Sequence, residues 1–416
     1  MKKVYLLGLA ITSMVAVQAQ DCSSGRYKNE VFQDFDQTLD IVYGNNTTWN
    51  NSGTIDLELD VYEPQGDTEA ERPLLIFIHG GTFILGSKEE SDVKPLAEIF
   101  ARKGFVTSSM NYRLGMKNIL TGPDESDASE AVMRATQDAR AAVRFFKKSV
   151  VEDANPYGID TNNIFLVGSS AGGFTALHLA YLDETSEIPP FIDMSDPSLT
   201  GGLEGTTGNA GYNSTVTGII NLAGALGDVN WMQAGDIPVL SLHGDEDGTV
   251  PFGTDMIQVG GNDIMIVDGS ETVHTRAEDI SLKHCFKPFY GAGHVPHNGD
   301  AIYTDTTQAY MTQFLLSFVC GETDYCNYIE TTGSIAEQSQ IDFKLYPNPA
   351  TSVINIESEN HIDSYSIVDI NGRLMEDVTS TKSFSVSVNT QNYNKGIYFI
   401  RIKTNKGSNT KKFIVE

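Results

Sequence analysis

The sequence predicts an α/β protein: a mostly parallel sheet flanked by helices, followed by a small all-β, sandwich-like domain. Three observations carry this. Short apolar runs alternate with segments of helical period through most of the chain, as expected of strands joined by helical crossovers. Turns bearing Gly, Asp, Ser or His follow the ends of several of those runs, and in such a sheet these ends share one edge. From about Phe343 onward the helical spacing stops and period-two alternation with turn signals takes over.

The elements follow in order. Residues 54–62 alternate through Ile55, Leu57, Leu59 and Val61, a half-exposed strand. Residues 73–78 are continuously apolar, a strand buried on both faces, and 105–110 reads similarly. Val132, Ala135, Ala139, Val143 and Phe146 recur at helical spacing. A strand at 163–167 precedes a helix at 172–181. Further strands fall at 218–222, 238–242 and 285–290, and a helix at 306–318. The Gly- and Asp-rich insert 182–217 reads as a lid, a binding loop or solvated filler. After a polar linker, strands are expected at 353–356, 365–370, 384–388, 397–402 and 412–415, with an Asn371-Gly372 turn.

The 416 residues allow two or three domains at about 150 residues each. With 40% hydrophobic and 20% charged residues, the composition excludes wholesale disorder. The net charge of -27 argues against a nucleic-acid or anionic-membrane partner, which needs clustered Lys and Arg. From Ile341 onward nine basic residues face eight acidic ones, so the negative charge belongs to the body.

The chain begins Met1-Lys2-Lys3, then an apolar run over 4–17 and a small residue at Ala19. This pattern predicts a secretory signal peptide over 1–19, and no other stretch is apolar enough to span a bilayer. Four cysteines remain, Cys22, Cys285, Cys320 and Cys326, an even number that suggests two disulfides in an exported chain. Cys320 with Cys326, leaving Cys22 for Cys285, is one of three open connectivities. Metal binding is not expected, because no Cys-x-x-Cys or His-rich spacing occurs.

Four segments carry chemistry. Gly168-Ser169-Ser170-Ala171-Gly172 joins a strand to a helix, the context of a nucleophile elbow. His79-Gly80-Gly81-Thr82-Phe83 follows a buried strand, and its exposed N–H groups suit an oxyanion hole made by Gly81 and Thr82 together with Ala171. His243-Gly244-Asp245-Glu246-Asp247 and Gly291-Ala292-Gly293-His294 each follow another strand. A serine hydroxyl is a poor nucleophile until a base takes its proton, and a carboxylate holds the imidazole in the right tautomer. The order Ser170, Asp247, His294 suits this, with Asp245 and Glu246 as alternative acids.

Together with Asn111-Tyr112-Arg113-Leu114 and Gln137-Asp138-Ala139, these segments resemble the α/β-hydrolase esterases, near the carboxylesterase, hormone-sensitive-lipase-like and feruloyl-esterase-like groups. The resemblance implies Ser170 as nucleophile, Asp247 as acid and His294 as base, with no metal or organic cofactor. The chain departs from many relatives at Thr82, where a third glycine is common, and at Ser169, where Glu or Asp is common. The tail resembles the type IX secretion sorting domain through Tyr346-Pro347-Asn348-Pro349, Asp369-Ile370-Asn371-Gly372-Arg373, Gly396-Ile397-Tyr398 and Lys412-Phe413-Ile414-Val415. That implies export through the periplasm and outer membrane, with the type IX machinery as partner.

The expected layout is signal 1–19, catalytic domain 20–326, linker 327–342 and sorting domain 343–416. The expected activity is hydrolysis of a small or polymer-linked carboxylic ester through an acyl-enzyme. Feruloyl, acetyl-xylan or polyester substrates, a serine peptidase and an inactive adhesion module are the rival readings. Phe83 and Trp231 are candidate substrate contacts, whereas His243, His274 and His284 are expected to be structural and His297 to lie in a surface loop.

Overall fold

A computed structural model describes residues 22–323, 326, 343–369, 374–378, 383–404 and 407–416. The expected signal peptide, the linker and the Asn371-Gly372 turn lie outside the described residues. The chain divides into two compact units, Met1–Tyr328 and Ile329–Glu416.

The first unit contains β1 (Phe35–Thr47), β2 (Thr54–Pro64), β3 (Arg72–Ile78), α1 (Lys94–Arg102), β4 (Val106–Met110), α2 (Glu125–Glu152), β5 (Ile159–Ser169), α3 (Ala171–Tyr181), β6 (Gly218–Leu222) and β7 (Val239–Gly244). It continues with β8 (Thr254–Val259), β9 (Asn262–Asp268), α4 (Ser270–Asp279), β10 (His284–Phe289) and α5 (Ala301–Val319). Eight strands form one sheet in the order β1-β2-β4-β3-β5-β6-β7-β10. β2 runs antiparallel to both of its neighbours and the other seven strands run in one direction, which is the α/β-hydrolase arrangement. β8 and β9 form a separate hairpin.

The sheet is covered on both faces, and β3 shows why residues 73–78 are continuously apolar. Leu74, Ile76 and Ile78 enter the core that also holds Ala135, Ala139 and Leu177, from α2 and α3. Leu75 and Phe77 enter the opposite core with Phe100 of α1 and Phe314 of α5. Successive side chains of a strand point to opposite faces, so every β3 position is buried. α2 starts where Asp124 and Asp127 exchange side-chain-to-backbone hydrogen bonds in a capping box.

Strand ends align in register: Gly168 lies opposite Ile78, Leu222 opposite Ser169, and Gly244 opposite Phe289. The loops beginning at His79, Ser170, Asp245 and Tyr290 therefore leave from one edge.

The disulfides correct the pairing that sequence proximity suggested. Cys22 bonds Cys320, and Cys285 bonds Cys326. α5 returns to the N-terminal segment, so Cys320 meets Cys22 across 298 residues, and Cys326 reaches β10.

The second unit is all-β: β11 (Phe343–Tyr346), β12 (Val353–Asp369), β13 (Leu374–Val378), β14 (Ser383–Asn389), β15 (Gly396–Thr404) and β16 (Gly407–Val415). The two strands expected at 353–356 and 365–370 are parts of one. Its first half pairs β11 and β14 and its second half β13 and β15, with register shifts between Glu357 and Ser364. Such irregularities let a long strand bend around its own core, formed here by Ile354, Ile356, Ile367, Ile400 and Phe413. Asn348 binds the last strand through Ile414 N and Lys412 O, at 2.9 and 3.2 Å.

Candidate active site

Ser170 stands between β5 and α3 with φ 52° and ψ -115°, a strained conformation for a residue with a side chain. The flanking glycines make that turn feasible. A Cβ at Gly168 would lie 2.0 Å from Gly172 O, and one at Gly172 would lie 1.9 Å from Ile78 O. Ser170 N donates to Leu222 O at 2.8 Å, and the next N–H groups open α3, where they lack intrahelical partners.

His294 bridges the serine and the acid. Ser170 Oγ lies 2.8 Å from His294 Nε2, and His294 Nδ1 lies 2.6 Å from Asp247 Oδ2. The carboxylate is fully buried, whereas the imidazole is 20% exposed at the rim. Asp247 Oδ1 accepts from the N–H groups of Thr249 and Val250 at 2.7 and 2.9 Å. Burial alone would raise the Asp247 pKa. Hydrogen bonds from His243 and His294 outweigh burial and hold it well below the usual carboxylate range. A hydroxyl, an imidazole and an ionised carboxylate in this order can deprotonate the hydroxyl as it attacks. Of the alternative acids, Asp245 accepts instead from Gly291 N at 2.6 Å, bracing the loop that carries His294.

His243 has a larger part than packing at a strand end. Its Nε2 faces two acceptors, Asp247 Oδ2 at 3.0 Å and Val250 O at 3.2 Å, and therefore carries the proton. Its Nδ1 accepts from Ser270 Oγ at 2.8 Å, and Asn221 Nδ2 donates to Ser270 Oγ at 3.0 Å. His297, expected at the surface, is buried and donates to Asp92 O at 3.1 Å.

The segment after β3 is held close to the serine, since a Cβ at Gly80 would meet Ser170 Cβ at 3.1 Å. Gly80 N donates to Asp92 Oδ2 at 3.0 Å, and Ile84 N and Leu85 N turn back onto Gly81 O. Thr82 and Phe83 both have positive φ, 57° and 59°, a second strained stretch beside the strained serine.

Thr82, Phe83, Ala171 and Ser170 border one cavity of about 70 Å³. Its far wall is the β8–β9 hairpin, through Ile257, Val259, Ile264, Met265 and Val267. This hairpin is not among the expected strands, although Gly260-Gly261 between two alternating runs is a hairpin signal. Trp231 does not border that cavity. It lines an adjoining cleft of about 300 Å³ with His178, Phe191 and Ile192.

The insert 182–217 contributes to that cleft and is tied to α2. Gln137 Nε2 donates to the carbonyls of Leu199 and Gly202, and Arg140 and Arg144 both pair with Glu204. Buried Arg113 pairs with buried Asp138 at 2.9 Å and donates to Ser198 O at 2.5 Å. Thr207 Oγ1 also donates to Asp138, at 2.6 Å. Arg113 and Gln137-Asp138 thus clamp the insert.

Residues 59–227 match the BD-FAE family model, and residues 344–416 match the secretion system C-terminal sorting domain. Over 118 residues the chain is 32% identical to carboxylesterase 3B of Mus musculus, covering 28% of this chain and 19% of that protein. Over 124 residues it is 31% identical to bile salt-activated lipase of Homo sapiens, covering 28% of this chain and 16% of that protein. The chain thus matches less than a fifth of the length of these curated relatives. Thermogutta terrifontis esterase 2 phosphorylated by paraoxon aligns at 22% identity over 71% of this chain and 96% of that one, with TM-score 0.48. The C-terminal match marks an exported protein carrying a type IX sorting domain. No helix among the described residues is long and apolar enough to cross a membrane.

Proposed function

We propose that this protein is an exported serine hydrolase of carboxylic esters, with Ser170, His294 and Asp247 as its catalytic residues. The observation that supports this reading is the chain of contacts from Ser170 Oγ through His294 to Asp247, at 2.8 and 2.6 Å, beside an apolar cavity. The BD-FAE match and the likeness to carboxylesterases support the choice of an ester bond.

Ser170 Oγ attacks the ester carbonyl while its proton passes to His294 Nε2. Asp247 stabilises the imidazolium through Nδ1–H. N–H groups of Gly81, Thr82 and Ala171 receive the oxyanion, each such donor being worth about 3 kcal/mol in the transition state. His294 then returns the proton to the leaving alcohol, and water attacks the acyl-serine by the same route. The acyl group sits in the cavity walled by Phe83 and the hairpin, which favours an uncharged, compact acyl chain. Trp231, in the adjoining cleft, contacts the remainder of the substrate, either a free alcohol or a polymer. We assign catalysis to residues 20–326 and engagement of the type IX machinery to 343–416, joined by a linker over 327–342.

The test is a panel of short p-nitrophenyl esters, methyl ferulate and a peptide anilide, assayed with wild type and Ser170→Ala. Ester turnover that falls by at least about 10³-fold in the variant is expected. Anilide cleavage without ester cleavage would overturn the substrate class, and undiminished activity in Ser170→Ala would overturn the nucleophile.

A further inference from the structure

We propose that His274, Glu278 and His284 form a binding site for one divalent transition-metal cation of the zinc type. His274 and Glu278 lie one turn apart on α4, so their side chains share a face, with His274 Nε2 3.7 Å from Glu278 Oε1. His284, at the start of β10, brings its Nε2 to 2.9 Å from His274 Nδ1. One ligand atom from each of the three residues lies within 4.8 Å of the others, and among the described residues this is the one such group.

The finer geometry points the same way. His284 Nδ1 donates to Leu282 O at 2.8 Å. That bond fixes the tautomer and leaves a lone pair on Nε2, the outer-shell arrangement common to metal-binding histidines. Phe286 stacks on the His274 ring at 4.8 Å and backs it. The adjacent disulfide, Cys285–Cys326, anchors the strand that presents His284. Two ligands of a tetrahedral zinc at about 2.0–2.1 Å stand about 3.3 Å apart. The pair His284 Nε2 and His274 Nδ1 is already near that spacing, so Nδ1 is the His274 ligand and the metal displaces the proton the two rings share. Glu278, 62% exposed at its side chain, rests by the other nitrogen and swings inward to complete the set. Lys283, the neighbouring cation, is directed elsewhere: its Nζ donates to Ser317 Oγ at 2.9 Å and lies 3.6 Å from the centre of the Phe318 ring.

Two imidazoles and one carboxylate suit Zn²⁺, Cu²⁺ or Ni²⁺, whereas Ca²⁺ and Mg²⁺ prefer oxygen ligands throughout. Three protein ligands leave a position for water. The site lies outside the Ser170 cavity and does not depend on the ester-hydrolase reading.

The experiment uses the untagged full chain, stripped with chelator and titrated with Zn²⁺ by calorimetry, alongside His284→Gln, His274→Gln and Glu278→Gln. Wild type is expected to bind one Zn²⁺ per chain and to gain a higher Tm with it. Each His variant should bind at least about tenfold more weakly. Glu278→Gln alters only an exposed side chain, so its weaker binding would not reflect misfolding. Binding below one equivalent at micromolar Zn²⁺, equal binding in wild type and all three variants, or displacement of Zn²⁺ by equimolar Ca²⁺ would each overturn the proposal.

Discussion

His243 Nε2 lies 3.0 Å from Asp247 Oδ2, the same oxygen that accepts from His294. The carboxylate is therefore fixed by a second imidazole, itself held through Ser270 and Asn221. Replacing His243 with Asn removes this brace but leaves the three proposed catalytic residues in place. In the variant the His294 imidazole and the N–H groups of Thr249 and Val250 remain on the Asp247 carboxylate and still lower its pKa. The expected loss is one of orientation: kcat falls by about 10²-fold while KM changes little. Ester kinetics across pH 5–9 check this, and an unchanged kcat would show that the brace is dispensable.

Asp138 is the single buried counter-charge of Arg113 among the described residues, and both are almost wholly removed from solvent. Asp138→Asn keeps the shape but leaves a buried guanidinium uncompensated, which costs about 3–5 kcal/mol. Because Arg113 and Thr207 link this pair to the insert, cleavage by added protease should concentrate in 182–217. Denaturant unfolding and mass mapping of the fragments measure the two effects.

The hairpin wall sets the depth of the cavity beside Ser170. Ile264→Ala shortens that wall and makes room for longer acyl chains. Each additional methylene buried is worth about 0.8 kcal/mol, or roughly fourfold in kcat/KM. The ratio of hexanoate to acetate turnover should therefore rise in the variant, and a constant ratio would place the acyl group elsewhere.

The buried strands and the serine elbow were legible because their residues have little freedom. β3 is apolar on both faces, and the glycines around Ser170 sit where any Cβ collides with backbone. β1 was not legible: it is an edge strand with only Tyr43 and Asn46 buried, so it lacks a clear alternation. α4 is polar and buries only Ser270, Val273 and Ala277. The importance of His243 could not be read either, since the contact with Asp247 exists only once β7 ends and the loop turns back. Cysteine pairing failed for a similar reason, because the return of α5 to the N-terminal segment outweighs closeness in sequence.

Acid sensitivity provides the last test. His178 is buried on α3 with Nδ1 donating to Phe174 O at 2.8 Å, and burial pushes its pKa down to about 4. Between pH 6.5 and about 4 the unfolded chain binds a proton at this imidazole and the folded chain does not. Stability therefore falls as pH drops through that window, by about 3 kcal/mol from this residue. Asp247 has the depressed pKa of a stabilised carboxylate, so its contribution is present above the ordinary Asp value and is lost only below it. It leaves the window undisturbed. His178→Gln removes the titration and retains a donor for Phe174 O. Its stability relative to wild type should improve on going from pH 7 to pH 4, as measured by urea unfolding at each pH. A parallel decline in both proteins would mean that the imidazole titrates normally in the folded state.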